Sequence, residues 1–368
     1  MQSKLLPLVL VLAGSVHLTA CGGSSPPANQ AKVTWVAVAD WYFDVGKTRV
    51  YMDGALTRFD PTNFYGGATG LAYSHAAVCN NKDADQKVLA AIGQQPSLVI
   101  TGHSNLDHSY DTATIAKLSG ARIIGSPSTC FEAEAQGFAA SQCTAVMGGE
   151  TMNIGDGMHM RVVHWNHSGN ASNPELHLPL ELTKPPTPDA NGCLKPGVLE
   201  DFPNGGGARG YLFVGGDSAH RFSIFFVDTG SDYDFAQDVP DNLSANGTPC
   251  GSSTCGFHGS PQGNLTAAMQ AEGLDHVDLW IGFGTVPLSK LVVPILKPKA
   301  FIPNHLGSFY VDFFKGLTTP YTDTAVPAYF ASQGSNFQTP KQFLDSWTVD
   351  ATGTVPTPNT DVKTKLGF

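Results

Sequence analysis

The sequence predicts an α/β fold for this chain of 368 residues. Three observations lead there. Short apolar runs rich in Val, Ile and Phe alternate with segments that carry helix caps, in both halves of the chain. Hydrophobic residues make up 42% of the total, enough for a sizeable core. Several apolar runs also end in His or Asp, so polar side chains with metal-binding chemistry gather at strand exits.

Taken in order, residues 34–38 and 48–54 read as an N-terminal hairpin ending at Asp53-Gly54. Residues 85–92 read as a helix stopped by Gly93, and 97–101 as the strand that follows. Asp111 caps a short helix closed by Gly120, and 121–124 is the next strand. Hairpin-like segments follow over 143–165. Further on, 222–227 reads as a strand, 265–272 as a helix, 277–281 as a strand, 288–296 as a helix and 300–302 as a final strand. The long connections 168–210 and 232–263 exceed ordinary loop lengths and are expected to wall a cleft. Residues 321–368 are expected to form a C-terminal extension, a helix and a polar tail, beyond a domain spanning 33–320.

Composition narrows the function classes. The charged fraction of 14% lies below the roughly 25% usual for soluble domains, while 40 Gly and 25 Pro imply many turns. A formal charge of -10 argues against a nucleic-acid partner, which would call for a basic face. At the N-terminus, Lys4 and the apolar run 5–13 precede Leu18-Thr19-Ala20-Cys21. This reads as a secretory signal over 1–20, too short for a bilayer span. The last four residues resemble a bacterial lipobox, which implies lipidation of Cys21, a flexible tether over 21–32, and a membrane-anchored exported protein. The absence of Asp after Cys21 points to the outer membrane. Six other cysteines remain in an exported chain, so disulfides are expected. The favoured pairings are Cys130 with Cys143 and Cys250 with Cys255, leaving Cys79 with Cys193.

The most informative stretch is His103-Ser104-Asn105-Leu106-Asp107-His108, at the exit of an apolar run. A short loop rich in imidazole and carboxylate can aim several ligands at one point, as a zinc-type ion requires. Later segments repeat the theme: 160–165 with His164, 211–218 with Gly216-Asp217-Ser218, and 300–309 with His305. The stretch resembles the His-x-His-x-Asp-His signature of the metallo-β-lactamase superfamily, with Asn105 where the second histidine is expected. The final segment resembles the branch containing L-ascorbate-6-phosphate lactonase and N-acyl-phosphatidylethanolamine phospholipase D. The resemblance implies an αββα sandwich of two mixed β-sheets flanked by helices.

It also implies a ligand set. His103, Asn105, His164 and Asp217 would surround one metal; Asp107, His108, Asp217 and His305 would surround the other, with Asp217 bridging. Asn105 offers only an amide oxygen, so the first site is weakened and one Zn2+ is expected, two being possible if His167 substitutes. Asp53 is expected to orient ligands from behind. The implied chemistry is hydrolysis by a zinc-bound water, with Asp107 or Asp217 holding it, on an ester, lactone or phosphodiester of a small molecule or lipid. Trp165, Phe309 and Tyr310 suggest an apolar pocket. Two other classes compete. Gly216-Asp217-Ser218 resembles a serine-hydrolase motif with Ser218 as nucleophile, but lacks the later Asp-x-x-His. Asn105 fits a non-catalytic, lipid-anchored binding lipoprotein on a decayed scaffold.

Overall fold

The computed structural model describes residues 28–59, 77–168, 181–195, 207–238, 259–317 and 321–368. The signal segment, Cys21, most of the tether, Cys250, Cys255 and much of the two long connections lie outside them.

The N-terminal strands β1 (Ala31–Ala37), β2 (Asp40–Val45) and β3 (Thr48–Met52) form an antiparallel meander. β4 (Leu98–Ile100), β5 (Arg122–Gly125) and β6 (Cys143–Ala145) then add in parallel, each joined through helix as parallel pairing demands. The intervening helices are Lys82–Ile92, closed by Gly93 in the left-handed conformation, Thr112–Ser119, closed by Gly120 likewise, and Pro127–Ala135, capped by the Ser126 hydroxyl.

The second sheet begins with β7 (Thr151–Gly155), β8 (Met158–His164), β9 (Arg209–Gly215) and β10 (Phe222–Val227), all antiparallel neighbours. It continues in parallel through β11 (Leu279–Gly282), β12 (Ala300–Pro303) and β13 (Asn336–Phe337). The helices Pro261–Ala271 and Val286–Leu296 make the crossovers.

Alternation along the strands fixes the layers. Tyr211, Phe213, Ile224 and Phe226 face the first sheet, where Phe43 meets Phe213 edge-on with ring centres 5.4 Å apart. Their neighbours Leu212, Val214, Phe225 and Val227 face the outer helices with Leu265, Val292 and Phe330. Two mixed sheets thus pack face to face with helices outside, the αββα sandwich expected from the sequence.

The C-terminal segment is not an appended tail. β14 (Ser346–Asp350) pairs antiparallel with β1, β15 (Gly353–Thr357) pairs with β14, and Trp347 and Val349 are buried in the central core. β13 belongs to the other sheet, so the segment contributes to both layers. Two disulfides join Cys79 to Cys193 and Cys130 to Cys143.

Candidate metal centre

The parallel strands β3, β4, β10 and β12 all deliver their carboxyl ends to one rim of the sandwich, and β8, two antiparallel steps from β10, ends there too. Groups that leave these strands therefore converge, as ligands do outside the carboxyl ends of strands in open α/β sheets.

β4 supplies the richest loop. After Ile100 the chain passes Gly102 and His103, then makes a helical turn, Leu106–Ser109, that turns Asp107 and His108 back toward the rim. Ser104 anchors the loop from behind, its hydroxyl 2.7 Å from that of Thr129 and 3.1 Å from that of Ser126. The Ser109 hydroxyl donates to the buried Glu132 carboxylate at 2.6 Å. From β3, Asp53 adopts a left-handed backbone, φ 63°, and accepts the Gly102 N–H at 2.8 Å. Its other oxygen lies 3.2 Å from His108 Nδ1, the orienting role expected from the sequence.

β10 ends at Val227 and presents Asp228. Its Oδ2 lies 2.9 Å from His103 Nδ1 and 3.1 Å from His108 Nδ1, while its Oδ1 is buried without a hydrogen-bond partner among the described residues. β12 ends at Pro303 and presents His305, whose Nε2 lies 2.9 Å from Asp107 Oδ2. Asp107 Oδ2 is also 3.6 Å from His108 Nε2.

Two sets of donor atoms are close enough to share an ion: His103, His108 and Asp228, all buried, and Asp107, His108 and His305, more open to the cleft. The structure thus brings His103, Asp107, His108 and His305 together as the motifs suggested.

Asp217 corrects the expectation. It sits on the exposed turn between β9 and β10, and its carboxylate is spent on the Ala219 and His220 N–H groups and the His220 ring. The reason is strand direction: β9 runs antiparallel to β10, so the turn after β9 lies at the opposite rim. Ser218 shares that exposed turn. Asp228, grouped with His103 and His108, is the carboxylate that the β9–β10 region delivers to this rim instead, and its signal in the sequence was a largely apolar run, 222–227, broken only by Ser223 and ending in Asp.

His164, the last residue of β8, is buried beside Gly148, where an added Cβ would come within 2.6 Å of its own, and it belongs to neither donor set. His167, beyond it, reaches the rim, with its ring centre 4.9 Å from that of His103. The side chain of Asn105, its amide nitrogen 3.0 Å from His167 Nε2, lies there as well. Trp165 is not a pocket residue: it is fully buried and donates to the Thr229 carbonyl. Phe309 and Tyr310, half-buried, pack with Phe59, Leu106, Tyr110 and Leu194 beside the motif helix.

The electrostatics fit a cation. Burial opposes the ionisation of Asp228, but His103 and His108 outweigh it and hold the carboxyl well below its usual range. Asp107 behaves alike: burial is overcome by His108 and the His305 contact. Burial and the charge of Asp228 push Asp53 up. Burial works against the imidazolium of His108, yet Asp107 and Asp228 push its pKa well up. Acidic oxygens thus exceed the buried positive charge available to them, which is what a divalent ion relieves.

Steric detail agrees: a Cβ on Gly102 would lie 2.2 Å from Asp228 Oδ2, so glycine there opens the space the carboxylate fills. Imidazole and carboxylate donors, with an orphaned buried oxygen among them, fit a zinc-type ion.

No family model matches the sequence, and no curated protein is similar to it. Among solved structures, the chain is similar to a metallo hydrolase of the archaeon Ignicoccus hospitalis, at 13% identity over 87% of this chain and 98% of that one, with a TM-score of 0.47. An isothiocyanate hydrolase from Delia radicum gut bacteria gives 13% identity over 86% and 99%, with a TM-score of 0.44. A possible metal-dependent hydrolase of Veillonella parvula gives 14% identity over 85% and 97%, also at 0.44. These values are too low to carry a function across.

Proposed function

We propose that this chain is a metal-dependent hydrolase of the metallo-β-lactamase type, acting at the cell envelope on an ester, lactone or phosphodiester of a small molecule or lipid. The observation that supports this best is the convergence of His103, Asp107, His108, Asp228 and His305 on one rim, with three carboxylates, Asp53 included, around two buried imidazoles. Asp107, His108, His305 and Asp228 would hold the ion, with His103 beside them. A bound Zn2+ would lower the pKa of a water toward about 7 and polarise the scissile carbonyl or phosphoryl group.

The chain's own groups supply the rest. Asp53 accepts from His108 Nδ1 and so fixes the ring with Nε2 turned toward Asp107 and the cleft. Asp107, only half-buried, is placed to accept a hydrogen bond from the attacking water and orient it toward the substrate. Phe309 and Tyr310, beside the motif helix, offer apolar surface to a substituent of the substrate.

Export with a lipid on Cys21 is part of the proposal, and the two disulfides support an oxidising compartment. Intact mass of the membrane-extracted protein checks the acyl group.

The activity is tested on soluble protein lacking residues 1–21, assayed for bound metal and screened against lactones, phosphodiesters and phospholipids before and after chelation. The expected result is bound divalent metal, with turnover of at least one substrate class that chelation abolishes and Zn2+ restores. Metal-free protein that hydrolyses nothing would favour the non-catalytic binding lipoprotein.

A further inference from the structure

The contact between Asn105 and His167 bears on how many ions the rim accepts. His167 Nδ1 lies 2.9 Å from the Ser168 carbonyl oxygen, which can only accept, so Nδ1 carries the ring proton. In the neutral ring, Nε2 then keeps its lone pair, and this is the atom 3.0 Å from the Asn105 amide nitrogen. A carboxamide places N–H against a lone pair and oxygen against N–H, so the amide orientation follows from the tautomer. Both side chains are only half-buried and sit beside His103 at the cleft, at the place the superfamily resemblance gives to the first metal.

We propose that Asn105 masks His167: its amide N–H occupies the imidazole lone pair that a second cation would need, so the rim binds one divalent ion per chain. Asn105 is then neither a weak ligand nor a neutral bystander. It is a hydrogen-bond donor that replaces an ion, and the remaining donors gather around Asp107, His108, Asp228 and His305. This rests on the metal-dependent reading of the site and specifies its stoichiometry.

A masking residue and a ligating residue predict opposite signs when the amide is removed. Asn105→Ala frees Nε2 of His167 and should add a second, weaker cation event; were Asn105 a ligand through its oxygen, the same change would weaken binding. Asn105→His restores a nitrogen donor and should give two ions per chain.

The experiment titrates metal-free wild type, Asn105→Ala and Asn105→His with Zn2+ by calorimetry, and with Co2+ by visible absorption, which reports coordination independently of turnover. Ring 15N shifts of His167 in the metal-free wild type read its tautomer directly. Expected are one equivalent in wild type, a second event in both variants, and a His167 ring protonated at Nδ1. Two tight equivalents in wild type, or loss of binding in Asn105→Ala, would overturn masking while leaving the metal-dependent reading intact. No cation binding in any of the three proteins would overturn both. A His167 ring protonated at Nε2 would overturn the masking contact itself.

Discussion

Asp217 and Asp228 flank the same strand, β10, and have opposite fates. The Asp217 side chain is 66% exposed and closes its own turn, whereas that of Asp228 is fully buried among His103 and His108. Both follow an apolar strand and both are one residue type. The difference is direction: β9 carries its carboxyl end to one rim of the sandwich and β10 to the other. Ligand chemistry in this fold is decided by which rim a strand exits, and only then by the residue that stands there.

That comparison breaks most sharply by mutation of the two aspartates. Asp228→Ala removes the carboxylate with its orphaned oxygen and the charge that holds His103 and His108, and should lower Zn2+ affinity and any metal-dependent turnover by more than about 100-fold, beyond the range for groups that only orient ligands. Asp217→Ala should leave both unchanged. Calorimetric titration and turnover on the same preparations check the pair.

A smaller effect is expected one contact further out. Asp53→Asn keeps the shape but loses the carboxylate that accepts from His108 Nδ1, and should cost about 10–100-fold in Zn2+ affinity. The same titration reads it, and an unchanged affinity would mean that Asp228 alone orients His108.

Gly102→Ala sharpens the comparison without removing a charged group. The added methyl meets the Asp228 carboxylate, so this overpacking should cost about 1–3 kcal/mol in denaturant unfolding and weaken Zn2+ binding with it. Gly216 lies at the other rim, at φ 88°, where a Cβ would meet the His220 carbonyl. Gly216→Ala should therefore lower stability through its turn while sparing Zn2+ affinity.

Much of this was legible in the sequence because the signals were local. Gly93 and Gly120 do close their helices, and the run before His103 is a strand whose exit carries the ligands. His103, Asp107 and His108 sit within one loop, so their convergence needed no tertiary information. What escaped depends on distant pairing. The choice of Asp228 over Asp217 requires knowing that β9 and β10 are antiparallel. That His167 rather than His164 reaches the rim depends on where β8 stops. The C-terminal strands looked like a tail because β14 finds its partner in β1, at the far end of the chain. The helix Pro127–Ala135 was missed although Ser126-Pro127 is a cap followed by a proline at the first turn, a start signal that was there to read.

The central claim is that the ion site lies at the rim where β4, β10 and β12 end. Its most direct test is anomalous diffraction at the zinc edge from crystals of the soluble protein grown with stoichiometric Zn2+. The account predicts one dominant anomalous peak within coordination distance of Asp107, His108, Asp228 and His305, and none at the opposite rim. A dominant peak between Asp217 and His220, with none among the four, would contradict it.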